Sequence, residues 1–144
     1  MSDMSTEPIP PRALPPDPYP AASEDRVIAA IIYALFLIGL SNGLTAFIGL
    51  ILAYVAQGEA GPKMRSHYVF LIYTFWTCAL WAFLGGIVIA LGGMLMIILI
   101  GFPIMAVGMG LLGLTWLWFL IRTVVGAIYL AQDQAYPRPR NWVI

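Results

Sequence analysis

Two long stretches without charge dominate the pattern of polar and apolar positions along this chain. The first runs from Val27 to Gly58 and the second from Tyr68 to Ile121, and neither contains Lys, Arg, Asp or Glu. About 20 apolar residues suffice to cross the hydrocarbon core of a bilayer. Both stretches are therefore too long for one straight span each.

The first stretch contains a break near its middle. One helix over residues 27–57 would be about 46 Å long at roughly 1.5 Å per residue, against a core of about 30 Å. The segment from Gly39 to Gly43 (GLSNG) ends in an Asn-Gly turn signal, and Ser41 or Asn42 can cap a following helix. Two interpretations stay open: a hairpin of two short helices, or one tilted and kinked span.

The second stretch is long enough for two spans, and two places offer a chain reversal. The glycines at 92–93 are flexible but lack a proline, whereas Gly101 can end a helix and Pro103 can start the next. We therefore predict that the chain reverses between Gly101 and Pro103. The flanking helices are expected at about 67–99 and 104–131.

Composition supports a membrane protein and sets its domain limits. The chain is 61% hydrophobic and 10% charged, whereas soluble domains are roughly 45–50% apolar and 25% charged. Seven prolines in the first twenty residues predict a disordered tail over residues 1–24. We predict an all-α membrane protein: a transmembrane domain over 25–133, with a short helical hairpin and two long helices, and a cytoplasmic tail over 134–144.

The distribution of basic residues predicts the orientation, because Lys and Arg accumulate in short cytoplasmic segments. If the first stretch is a hairpin, every basic residue falls on one side: Arg12, Arg26, Lys63, Arg65, Arg122, Arg138 and Arg140. The connections on the other side are uncharged. This pattern favours the hairpin, with both termini in the cytoplasm. Seven acidic residues balance the basic ones, so nothing favours a nucleic-acid partner.

Three side chains are candidates for contact with the membrane interface. His67, the only histidine, stands where the second stretch begins. Its two interpretations are a pH sensor and a helix-start residue, and the second is the commoner. Trp76 suits the headgroup level. Arg122 lies about 28 Å beyond Pro103 at helical rise, which places it at the far interface, where its side chain can snorkel and contact anionic lipid.

Small residues four positions apart predict where helices pack in lipid, because they let backbones approach closely. This spacing singles out Gly39, Gly43, Gly86 and Gly110 as helix-packing candidates. Partners in that packing are other helices of the chain, a second copy or another membrane protein.

Catalytic chemistry is not indicated. The chain has no HExxH, CxxC, GxSxG, P-loop or GxGxxG motif, so we predict no enzyme, no catalytic residue, no cofactor and no metal. The leading functional prediction is a non-enzymatic packing or assembly partner of another membrane complex. The alternative is a small carrier or channel component.

A run of short motifs resembles a family of small bacterial inner-membrane proteins catalogued as a domain of unknown function. The motifs are Asn42-Gly43, Ala53-Tyr54-Val55, Ser66-His67-Tyr68, Thr74-Phe75-Trp76, Trp118, Arg122, Gly126 and Tyr136-Pro137. That family is distantly similar to the protein-import (Tic) channel component of the chloroplast inner envelope. The resemblance, over about residue 25 to 144, implies four helices and, as an alternative function, a part in protein import.

Overall fold

The computed structural model describes residues 26–141, which form four α-helices and no strand. The helices are α1 (Arg26–Asn42), α2 (Leu44–Gln57), α3 (Pro62–Met94) and α4 (Gly101–Ala131), with a 3-10 turn at Leu95–Ile98. This confirms the predicted all-α class with two shorter apolar helices before two long ones. The predicted tail over 1–24, including Arg12, lies outside the described residues.

The first uncharged stretch forms a helical hairpin. Gly43 adopts a φ of 71°, a left-handed conformation that favours glycine, and so separates α1 from α2. The Asn42 carboxamide oxygen accepts a 3.1 Å hydrogen bond from the backbone N–H of Thr45 in the first turn of α2. Gly39 is buried against Ala46, where a Cβ on residue 39 would collide with the backbone of α2. The single-span alternative is therefore wrong.

The long helices α3 and α4 pack antiparallel through glycines spaced seven residues apart. A Cβ on Gly92 would lie 2.6 Å from the backbone N of Met105, and one on Gly108 would lie 2.6 Å from Ile89 Cγ1. Gly85 and Gly101 make similarly close approaches to the opposite helix. The backbones can be this close because no side chain separates them.

The chain reverses just before Gly101, where Leu99 takes a left-handed conformation with φ 60°. The predicted reversal between Gly101 and Pro103 is therefore wrong by a few residues, because Gly101 opens α4 instead of ending α3. Pro103 lies in the first turn of α4, where the missing N–H costs no hydrogen bond. α3 begins at Pro62, five positions before the predicted start, because proline suits the first turn.

The hairpin is much shorter than the helices it packs on. α1 is about 26 Å long and α3 about 50 Å, at roughly 1.5 Å per residue. The indole N–H of Trp116 donates to the carbonyl of Leu40 at 3.2 Å, which marks how far along α4 the hairpin reaches. Beyond that level, α3 and α4 pack on each other, and large apolar side chains there are exposed.

Charged side chains gather at the opposite end of the bundle. The Asp133 carboxylate pairs with Lys63 at 3.0 Å and with Arg26 at 3.6 Å. The Arg26 guanidinium also donates to the carbonyl of Leu130 at 2.9 Å. These contacts tie the start of α1 and α3 to the end of α4.

Candidate functional site

Arg122 lies inside the helix bundle. Its side chain is 0% exposed, and its Nε donates a 2.8 Å hydrogen bond to the hydroxyl of Thr74 on α3. We expected it to reach outward to an interface and contact lipid. The structure corrects that expectation, because α4 turns this side chain toward α3.

Two aromatic rings hold the guanidinium group. Its central carbon lies 4.5 Å from the ring centroid of Phe70 and 5.1 Å from that of Trp118. Each desolvated cation–π contact of this kind contributes about 2 kcal/mol. The rings therefore offset part of the cost of burying the charge.

Neither Nη1 nor Nη2 of Arg122 has a hydrogen-bond partner within the described chain. The salt bridges among residues 26–141 join Asp133 to Arg26 and Lys63, so no described carboxylate neutralises Arg122. Burying an unpaired charge costs several kcal/mol. The two unpaired nitrogens are donors whose natural partner is an anion or a neutral acceptor oxygen, which makes Arg122 the candidate site.

His67 is also fully buried and links three segments of the chain. Its Nε2 lies 2.8 Å from the carbonyl oxygen of Gln134, and its Nδ1 lies 3.0 Å from the Tyr33 hydroxyl. Because a carbonyl only accepts, the neutral ring carries its proton on Nε2, and Tyr33 donates to Nδ1. His67 therefore joins α1, α3 and the segment after α4, and it does not face an interface.

Trp76, the remaining interface candidate, lies on the outside of α3. It is 55% exposed, and its indole N–H donates a 3.0 Å hydrogen bond to the Tyr54 hydroxyl on α2. This exposure leaves the side chain available for the headgroup contact that the sequence predicts.

The four glycine candidates separate into three kinds. Gly39 packs against α2, and Gly43 serves the turn, with open space where its Cβ would be. A Cβ on Gly86 or Gly110 also meets nothing within 4 Å, so these two are not packing sites within the described chain. For these two glycines, helix packing stays a prediction that concerns contacts outside the described chain.

Thr74 and Tyr33 were not predicted as site residues. A spacing of seven residues points to Thr74 but not to Tyr33: His67 and Thr74 are seven apart on α3, as are Thr115 and Arg122 on α4. All four side chains are buried. No group of three metal-ligating side chains is found in the part of the chain that the structure describes.

Comparisons with protein-family models, curated proteins and solved structures find no match to this chain. The resemblance drawn from its motifs therefore stays a prediction.

Proposed function

We propose that this chain is a multi-pass protein of a bacterial inner membrane with both termini on the cytoplasmic side. Residues 62–98 and α4 are each long and apolar enough to cross a membrane. Large apolar side chains are exposed along both, which suits a lipid solvent. The five described basic residues outside the core lie at one end, as expected for the cytoplasmic side: Arg26, Lys63, Arg65, Arg138 and Arg140.

Fractionation and reporter fusions test this location. The protein should sediment with membranes, resist a carbonate wash and require detergent for release. A reporter fused after Pro103 should be active only in the periplasm and one after Ile144 only in the cytoplasm. Recovery in the supernatant without detergent would exclude membrane insertion, and a periplasmic C-terminal reporter would exclude the orientation.

For the molecular role, we propose a non-enzymatic assembly partner of another membrane protein. The observation that carries this proposal is that small residues four apart face outward on the two long helices. On α3 the row is Ala82, Gly86 and Ala90, and on α4 it is Ala106 and Gly110, all of them exposed. Internal packing instead uses the glycines spaced seven apart.

The occupant proposed for this surface is an apolar transmembrane helix with small residues of its own. Rows spaced by four let a second helix cross closely, where dispersion contacts replace lipid contacts. The hairpin of α1 and α2 ends near Trp116 and leaves this part of α3 and α4 uncovered. The exposed rows are therefore accessible to a helix that approaches from the bilayer.

Detergent extraction and co-purification test this role with matched variants. Gly86→Leu fills the outward row without meeting any atom of the chain within 4 Å at its Cβ, so the fold should persist. The wild type should co-purify with a stoichiometric membrane protein, and Gly86→Leu should lose it. Leu84→Val, an exposed change off the row, should keep it. A lone wild type, a homodimer, or retention by Gly86→Leu would each exclude the proposed partner.

The second candidate is a carrier or channel component, which includes the import-like role that the resemblance implies. The free Nη1 and Nη2 of Arg122 favour it, because a buried unpaired cation is a ready site for a small anion. Chloride efflux from proteoliposomes should then require Arg122 and fall to background in Arg122→Met. Equal efflux from the variant would exclude this candidate.

A further inference from the structure

A cavity of about 540 Å³ opens at the charged end of the bundle, beside the start of α3. Arg65, Arg138 and Arg140 line it, and no Asp or Glu is among its lining residues. Three guanidinium groups around one space, without a carboxylate, favour a ligand with negative charge. Arginine in particular matches phosphate oxygens, which it binds through two parallel N–H groups.

The fold brings these arginines together across about 70 residues of sequence. The ring of Tyr136 stacks on Phe70 with centroids 3.9 Å apart, and the Tyr136 backbone N–H donates to the Ser66 hydroxyl at 3.0 Å. The chain after α4 therefore folds back over the first turns of α3. A turn closed by the Asn141 N–H on the Arg138 carbonyl, at 3.2 Å, follows directly.

A second cavity of about 290 Å³ adjoins the first in the groove between α2 and α3. The two share Val69 and Arg140 as lining residues. Apolar and aromatic side chains line most of the second cavity, including Ile72 and Trp76. A cationic cavity and an apolar groove therefore lie side by side.

We propose that the adjoining cavities bind one anionic glycerophospholipid. The phosphate lies among Arg65, Arg138 and Arg140, and an acyl chain follows the groove past Val69 to Trp76. A free phosphate would use the first cavity alone, whereas a lipid uses both, and it is the shared lining of the two cavities at Val69 and Arg140 that favours the lipid. This inference rests on the proposed membrane location and is independent of the proposed assembly role.

Native mass spectrometry of the full chain in neutral detergent tests the site with defined probes. The probes are dioleoyl phosphatidylglycerol, dioleoyl phosphatidylcholine and inorganic phosphate, each titrated separately. We expect phosphatidylglycerol to bind most tightly and Arg140→Gln to weaken it about fivefold, the effect of one basic residue near an anionic group. Lys63→Gln removes the same charge outside the cavity and is the matched control, with affinity unchanged.

Each alternative outcome decides against part of the inference. Equal affinity for both lipids, or equal weakening by Lys63→Gln, would overturn a specific site. Inorganic phosphate that binds as tightly as phosphatidylglycerol would overturn the lipid assignment. Failure of the membrane location is distinguishable, because such a protein is recovered without detergent before any lipid is added. Failure of the assembly role would leave lipid binding unaffected.

Discussion

The Thr74 hydroxyl on α3 accepts a 2.8 Å hydrogen bond from Arg122 Nε on α4 and itself donates to the carbonyl of Phe70 at 2.7 Å. One hydroxyl therefore satisfies a helix carbonyl and the one nitrogen of Arg122 that has a partner among residues 26–141. Substitutions at Thr74 and Arg122 should therefore change stability according to the hydrogen-bonding group that each leaves buried without a partner.

Thr74→Val keeps the shape of the side chain and removes the acceptor for Arg122 Nε. An unsatisfied buried donor costs about 1–3 kcal/mol, so the variant should unfold at lower temperature in detergent. Thr74→Ser retains the hydroxyl and should stay close to the wild type. Equal stability of the valine and serine variants would show that the hydrogen bond contributes nothing.

Arg122→Lys should be clearly destabilised, by about 1–3 kcal/mol, although the sequence alone suggests that it is nearly silent. The guanidinium carbon lies over Phe70 and Trp118 while Nε donates to Thr74, and an ammonium group does not reproduce both contacts. Arg122→Met should be at least as stable as Arg122→Lys, because it removes the cost of a buried unpaired charge. Thermal unfolding in detergent measures the order. A methionine variant less stable than the lysine variant would show that the charge holds the fold together.

Gly43→Ala should destabilise the hairpin by about 1–2 kcal/mol, because residue 43 is left-handed and L-residues with a Cβ disfavour that conformation. The unfolding midpoint in detergent reports the change. Gly58→Ala is the matched control at the end of α2, where φ is −67° and the added methyl has room. If both alanines have the same effect, the cost does not come from the backbone conformation.

Acid should remove the contribution of Asp133 to stability. The hydrogen bond from Lys63 holds the pKa of this carboxyl below its ordinary value, and the charges of Lys63 and Arg26 act in the same direction. A lowered folded-state pKa stabilises the protein above the unfolded value of about 3.9, and that contribution is lost as the pH falls through the folded pKa. The difference in unfolding midpoint between wild type and Asp133→Asn should therefore be constant near pH 7 and vanish in acid. A difference that grows on acidification would contradict this.

The points where the chain reverses could be predicted from sequence to within a few residues because local residues determine them. Asn42 and Gly43 carry the cap and the left-handed turn of the first reversal. Gly101 and Pro103 mark where α4 begins. These choices depend on backbone conformation, which a few neighbouring residues decide.

The side of α4 on which Arg122 lies could not be predicted from its distance along the helix. That distance gives the depth of the residue in the membrane, but it does not say whether the side chain points into the bundle or out toward lipid. Inner and outer faces here are almost equally apolar, so hydropathy does not separate them. The seven-residue spacing from Thr115 to Arg122 carries the missing information. The same period distinguishes the internal pair Gly85 and Gly92 from Gly86 and Gly110, which the spacing of four selects and which face outward.

Contacts made by residues 134–136 form late, after most of the chain has been synthesised. His67 and Ser66 leave the ribosome early, yet their partners, Gln134 and Tyr136, are made 67 and 70 residues later. Until then His67 Nε2 and the acceptor side of the Ser66 hydroxyl lack these partners, even when all four helices exist. Completion of this end of the bundle is accordingly a late step of biogenesis. A nascent chain that stops at Ala131 has all four helices but lacks the contacts that residues 134–136 make.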